Sequence, residues 1–347
     1  MAQTNVKDIR FGRGIVDGVA RDIGRFAVST MEIPWGLVKD RLGAAPAHVI
    51  MVRDMERAYV EQMERETPEV DAVVTVGGGQ AMDMGKYIAD KRKLHLINIP
   101  TIVSTNAYVT STAGLREPDG SVRYVGKISP DLVIVDFDLI RTAPPGLNRA
   151  GAGDILSCHT GSFDWELARR EGHDDWTWSE GAIPRVRALV ERLSREAAEI
   201  RDVTDAGIRA IVECYLEIND ICMPLGHYRA EEGSEHFFAY NVEAITRVQY
   251  VHGHLVGLGI RLLSRLQGNR PEWIEDVMRR IGLSNEPRDV NLTRPQVEQA
   301  LRTLREYAVH HNYWYSVINS KPITEEVIAT LTRDMAFAEG DHHDTAE

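Results

Sequence analysis

Asp71-Ala72-Val73-Val74-Thr75-Val76-Gly77-Gly78-Gly79-Gln80 is the stretch from which the architecture is read. Its first six residues are mostly β-branched and apolar, with no polar face, which predicts a strand covered on both sides. Three glycines then clear side chains from the turn, and residues 81–89 carry a helical pattern. A strand that enters a helix through bare backbone offers N–H groups and a helix N-terminus, an arrangement suited to a pyrophosphate. Neither a P-loop nor the usual dinucleotide fingerprint is spelled out here, so a plain tight turn is the competing reading.

Working outward, residues 25–29, 49–52, 93–99 and 132–136 read as further strands, and residues 56–66 as a charged helix. Glu32 lies just past the first of these strands, where a carboxylate can accept from ribose hydroxyls and repel a 2′-phosphate, a pointer to NAD over NADP. A solvated loop carboxylate is the alternative. Pro100 ends the 93–99 run, and Thr101-Ile102-Val103-Ser104-Thr105-Asn106 follows, rich in the hydroxyl and amide groups that line ligand crevices. Ala143-Pro144-Pro145-Gly146 stops the alternation. Residues 1–145 are thus expected to form an α/β, Rossmann-like domain with a mostly parallel sheet. Beyond them the apolar spacing is helical at 155–170, 182–200, 206–216, 237–248, 271–281, 296–310 and 324–334, so residues 146–347 are expected to be an all-α domain.

A chain of 347 residues with 43% hydrophobic content can fill two cores. Its net charge is −12 and no basic stripe interrupts it, which argues against nucleic acid and anionic membrane as partners. Cys158, Cys214 and Cys222 form neither a disulfide framework nor a zinc knuckle. No apolar run is long enough for a membrane span, and a soluble cytoplasmic protein is expected.

Gly233-Ser234-Glu235-His236 and His252-Gly253-His254 dominate the second half. At ~100° per residue, His236 and His252 would fall on nearly opposite sides of one straight helix. Both can reach one ion only if the chain breaks between them, each imidazole then coming from its own helix. Ordinary helix-face histidines are the bland alternative.

Taken together, Gly77-Gly78-Gly79 with Asp83 and Lys86, Pro100-Thr101 with Ser104, residues 130–136 leading to Gly151-Ala152-Gly153-Asp154, Asp164-Trp165, and the two histidine segments resemble the metal-dependent dehydrogenases of the glycerol dehydrogenase and dehydroquinate synthase superfamily, most of all its sn-glycerol-1-phosphate dehydrogenases. The resemblance implies a dehydroquinate synthase-like fold and one divalent ion, zinc first and iron or nickel as alternatives, held by Asp154, His236 and His252. It implies NAD or NADP bound by Gly77, Gly78, Gly79, Gln80, Asp83, Thr101, Ser104 and Thr110, and a homo-oligomer acting on a small-molecule substrate.

Two substrate-side positions depart from that pattern. Asn106 stands where the family has an aspartate, and Tyr240 where it has a second histidine one turn after His236. With Asp154, these are the expected substrate contacts. The implied activity is therefore alcohol–carbonyl interconversion on a polyol, a phosphorylated triose or a similar molecule, with glycerol 1-phosphate itself disfavoured. The alternative is a dehydroquinate synthase-like cyclase, which the absence of its Gly-Gly-Lys-Thr-Gly motif around residues 111–114 weakens. Cys158, four residues after Asp154, is a candidate fourth ligand or a buried core thiol. His254 is a candidate proton relay or hydrogen-bonding support. The tail Asp341-His342-His343-Asp344 reads as a frayed polar terminus.

Overall fold

The computed structural model describes residues 6–118, 122–173 and 177–339, so the 341–344 tail lies outside the described residues. Two compact units divide the chain: residues 1–151 with 202–220, and residues 152–201 with 221–347.

The first unit contains Ile9–Gly12 (β1), Phe26–Thr30 (β2), Glu32–Val38 (α1), His48–Met51 (β3), Arg57–Glu66 (α2), Ala72–Gly77 (β4), Gly79–Arg92 (α3), His95–Pro100 (β5), Ala113–Arg116 (β6), Val122–Val125 (β7), Leu132–Asp136 (β8) and Phe137–Ile140 (α4). Six of these strands form one parallel sheet in the order β1-β8-β5-β4-β2-β3. Strand β4 is buried along its whole length because apolar layers cover both faces: Val74 and Val76 join Val28, Ile99 and Ile134 on one, Val73 joins Leu96, Met84 and Ile88 on the other. That accounts for its unbroken apolar sequence.

Strand β3 lies beyond β2, and β4 returns on the other side of β2. The winding direction therefore reverses between β2 and β4, and open parallel sheets take ligands above the carboxyl ends of such a pair. Here those ends are Thr30 and Gly77, followed at once by α1 and α3.

Three features of this unit differ from the sequence expectation. Strand β1 was not foreseen; it is short and part-exposed, and only its pairing with β8 defines it. The β6–β7 hairpin was also missed, being antiparallel and separate from the main sheet. Glu32 is not a loop residue but the first residue of α1, where an acidic group suits the positive end of the helix.

Pro145–Leu156 (α5) begins with proline, which is tolerated in a first helical turn, and the division between the units falls inside it. The second unit continues with Cys158–Arg170 (α6), Ala182–Arg195 (α7) and Ala197–Arg201 (α8). Asp205–Cys222 (α9) lies mostly in the first unit. Ser234–Thr246 (α10), His252–Gln267 (α11), Pro271–Ile281 (α12), Arg294–His310 (α13), Val317–Ser320 (α14) and Glu325–Leu331 (α15) complete the chain. Among the described residues no strand follows β8, as expected of a helical second half. Two predicted helices are each split in two, 155–170 at Ser157 and 182–200 at Glu196. Periodicity runs through both breaks and so could not reveal them.

Candidate functional site

Asp154, His236 and His252 come together in the second unit, with one ligand atom from each lying within 4.8 Å of the others. They stand on α5, α10 and α11, and the chain does break between the last two, at Arg247, which adopts a left-handed conformation. His236 Nε2 and His252 Nε2 lie 3.4 and 3.3 Å from the same carboxylate oxygen, Asp154 Oδ1. The two imidazole rings are 5.2 Å apart.

Glycines make this convergence sterically possible. A methyl group on Gly153 would stand 2.1 Å from the carbonyl oxygen of Gly253, so α5 and α11 meet backbone to backbone one residue from Asp154 and one from His252. A methyl on Gly259 would stand 2.5 Å from the carbonyl oxygen of Glu235, one residue from His236. Real side chains do not tolerate such separations, so each crossing requires glycine.

Burial alone would neutralise Asp154, yet hydrogen bonds and charge from the two imidazoles hold its carboxyl far below the usual carboxylate range. His236 is pushed the other way: burial opposes its charge, but Asp154 and Glu235 raise it well above an ordinary imidazole. One carboxylate and two imidazoles match a divalent ion that keeps a further position for substrate.

Glu235, unremarked in the sequence reading, is the residue that orients His236. Its Oε1 lies 2.9 Å from His236 Nδ1 and accepts from Gly233 N at 2.6 Å, which leaves Nε2 for the Asp154 side. Asp164 accepts from Ser234 N at 2.8 Å, from Ser234 Oγ at 2.6 Å and from Val317 N at 2.9 Å, so it ties down the start of α10. Burial, reinforced by the charge of Glu235, pushes the Asp164 carboxyl up to about 6. A carboxylate beside a metal-binding histidine is a common arrangement, and the adjacency of Glu235 to His236 was the available signal.

Tyr240 lies one turn beyond His236, its ring 5.9 Å from that of His236 and 6.3 Å from that of His252. Cys158 is buried at the start of α6, and the cluster of potential metal ligands among the described residues, Asp154, His236 and His252, does not include it. His254 sits two residues past His252 on α11, well around the helix from it, and borders a surface cavity of about 350 Å³ with Tyr250, Asp289, Asn291 and Gln296.

In the first unit, Gly77, Gly78 and Gly79 form the turn into α3. Gly77 has φ +146°, and a methyl on Gly78 would meet Ile102 Cδ1 at 2.9 Å. Gly78 caps α3 without a side chain, and Gly78, Gly79 and Gln80 are partly exposed, so the first N–H groups of a fourteen-residue helix are not covered by a capping side chain. Gly85, further along α3, lets the helix settle onto β4, since a methyl there would be 2.2 Å from Thr75 Cγ2.

Thr101, Ser104 and Thr110 are buried in the segment that follows β5. Thr101 N donates to Gly77 O at 3.0 Å, joining this segment to the turn. Asn106 is half-buried, and its backbone oxygen accepts from Val109 N and Thr110 N. Asp83 turns inward, accepting from Lys86 Nζ at 2.7 Å and Gly114 N at 3.1 Å, while Lys86 also donates to Thr110 Oγ1 at 3.0 Å and to Thr112 O. Asp83, Lys86 and Thr110 thus brace the wall beside the turn.

The family model for iron-containing alcohol dehydrogenases matches residues 18–144. The chain is 30% identical over 288 residues to the glycerol-1-phosphate dehydrogenase [NAD(P)+] of Halobacterium salinarum, covering 77% of this chain and 80% of that protein. Its fold is shared with a probable glycerol dehydrogenase from Sinorhizobium meliloti, at TM-score 0.73 and 21% identity over 94% of this chain and 97% of that one. It is shared also with the sulfoacetaldehyde reductase of Bifidobacterium kashiwanohense, solved with NAD+, at TM-score 0.69 and 18% identity over 98% and 99% of the two chains.

Proposed function

We propose that this chain, which belongs to the iron-containing alcohol dehydrogenase family, interconverts an alcohol and a carbonyl on a small polar substrate, with NAD or NADP as redox partner and one divalent ion in the second unit. The observation that carries the reading is the convergence of Asp154, His236 and His252 from three helices onto one carboxylate oxygen. These three residues would hold the ion, with zinc in first place and iron or nickel compatible with the same donors. When bound, such an ion supplies Lewis acidity that favours the ionised form of a substrate hydroxyl, and the nicotinamide takes or gives the hydride.

The chain's own residues supply orientation. Asp154 stays ionised in a buried place, Glu235 directs His236, and Tyr240 borders the two imidazoles. We assign the nucleotide to the turn at Gly77, Gly78 and Gly79 with Gln80, and to Thr101, Ser104 and Thr110, with Asp83 acting as a brace for that wall. The location of the turn above the β2–β4 reversal of the sheet supports this assignment. Asn106 and Tyr240, which replace a carboxylate and an imidazole, weigh against glycerol 1-phosphate as the substrate, and we take the working form to be a homo-oligomer.

The test is a panel of small alcohols, aldehydes and ketones followed by NAD(P)H absorbance, with metal content measured on the same sample. Net cofactor turnover that requires the metal supports the reading. Constant cofactor with release of phosphate would instead identify a cyclase.

A further inference from the structure

His236 stands in the first turn of α10, and that helix starts without a capping side chain, because Gly233 precedes Ser234. N–H groups of a first turn have no partners within their own helix, so the direction of its side chains is set by what holds the turn from outside. Asp164, buried on α6, is one such holder: its Oδ2 accepts from Ser234 N at 2.8 Å and from Ser234 Oγ at 2.6 Å. α6 also meets the approach to the turn backbone to backbone, since a methyl on Gly161 would stand 2.7 Å from Glu231 O.

A second holder comes from far along the chain. Residues 313–317, which lead into α14, touch the stretch 229–237 repeatedly. Tyr313 stacks on Phe237 with ring centres 4.6 Å apart, Trp314 Nε1 donates to Glu232 O at 2.9 Å, and Tyr315 O accepts from Arg229 Nη2 at 2.9 Å. Val317 N donates to Asp164 Oδ1 at 2.9 Å. One carboxylate therefore holds the start of α10 with one oxygen and the start of α14 with the other.

Resting on the metal-dependent reading above, we infer that Asp164, Trp314 and Val317 are positioning residues of the metal centre, and that the 313–317 strap sets the direction of His236 through Ser234 and Glu235. The link is continuous. Glu235 Oε1 accepts from Gly233 N at 2.6 Å and lies 2.9 Å from His236 Nδ1, so a displacement of residues 232–234 moves the carboxylate that orients the imidazole. The strap grips the chain on both sides of that turn, at Glu232 and at Phe237. Partners of this kind tune metal affinity without touching the ion.

The experiment measures zinc affinity by competition with a chromogenic chelator, and the visible spectrum of the cobalt(II)-loaded protein, in two variants. Val317→Pro removes the amide that donates to Asp164, at the first position of α14, where proline is tolerated. Trp314→Phe keeps an aromatic ring and removes the Nε1 donor. Zinc affinity is expected to fall about tenfold in Val317→Pro, the lower end for partners of a metal-binding imidazole, and about fivefold in Trp314→Phe, the worth of one hydrogen bond. The cobalt band is expected to shift in both. Ile274→Val, in the core of α12, is the control: its melting temperature is expected to fall with zinc affinity and cobalt band unchanged.

Unaltered zinc affinity and cobalt spectrum in either variant, whatever its melting temperature, overturns the inference and leaves the metal-dependent reading standing. An equal loss of zinc affinity in Ile274→Val also overturns it, because affinity would then follow stability alone. Should Val317→Pro fail to fold, Trp314→Phe decides. Unsubstituted protein that binds neither zinc nor cobalt overturns the metal-dependent reading, and the inference with it.

Discussion

Glycine does two different jobs at the two candidate sites. At residues 77–79 it clears a turn: Gly77 takes a backbone conformation closed to L side chains, and Gly79 has nothing nearer to an added methyl than Thr105 Oγ1 at 3.4 Å. At Gly153 and Gly259 it permits contact, because carbonyl oxygens of neighbouring helices stand 2.1 and 2.5 Å from where a methyl would be. The first kind of site leaves room for a ligand and the second leaves room for nothing. A methyl group should therefore separate binding from folding at Gly79 and damage both at Gly153 and Gly259.

The hardest test of the second unit is Asp154→Asn. Turnover should fall at least about a thousandfold with loss of bound metal, since transition-state charge is no longer stabilised. A nucleotide-induced thermal shift should persist. Near-normal turnover of this variant in metal-free form would remove the proposed chemistry.

Gly153→Ala comes next. Backbone atoms on both sides cannot swing aside, so the helices must part, at a cost of about 3 kcal/mol that thermal or denaturant unfolding would measure, together with lower metal content. An unchanged melting temperature would erase the contrast between the two glycine sets.

Gly79→Ala sharpens that contrast from the other side. The position begins α3 and has space for the methyl, so stability should hold or rise by up to about 1 kcal/mol, as alanine is the better helix former. KM for the nucleotide should rise by about tenfold if the backbone there touches the cofactor, and an unchanged KM would dissociate the turn from cofactor binding.

The smallest effect is expected at Asp164, whose carboxyl is raised to about 6. A raised acid binds its proton more tightly in the folded protein. The stability this gives is fully present below the ordinary carboxyl value, near pH 4, and is lost as pH rises through about 6. Asp164→Asn should flatten that part of the stability profile, changing the slope of melting temperature against pH by a few degrees across the window. Parallel profiles for the two proteins would show that the carboxyl does not titrate there.

Much of the first unit was legible because its signals are local. Strands at residues 71–76 and 132–136 are continuous apolar runs, and their neighbours in the sheet do not alter that reading. Strand β1 was not legible, since four part-exposed residues become a strand only by pairing with β8. In the second unit helical periodicity was visible, but the division of one predicted helix at Ser157 was not. Glu235 stood in plain view beside His236. Only the 2.9 Å approach of its carboxylate to Nδ1 distinguishes it from any other acidic residue of a first helical turn.

What the amino-acid order determined alone was the kind of element that its strongly patterned segments form and the residue types able to bind a cation or a nucleotide. Turn chemistry and side-chain period act over a few residues, so they can be read without knowing what lies across the fold. Convergence was decided by tertiary packing. Asp154, His236 and His252 meet because bare backbone at Gly153 and Gly259 lets three helices approach within van der Waals contact.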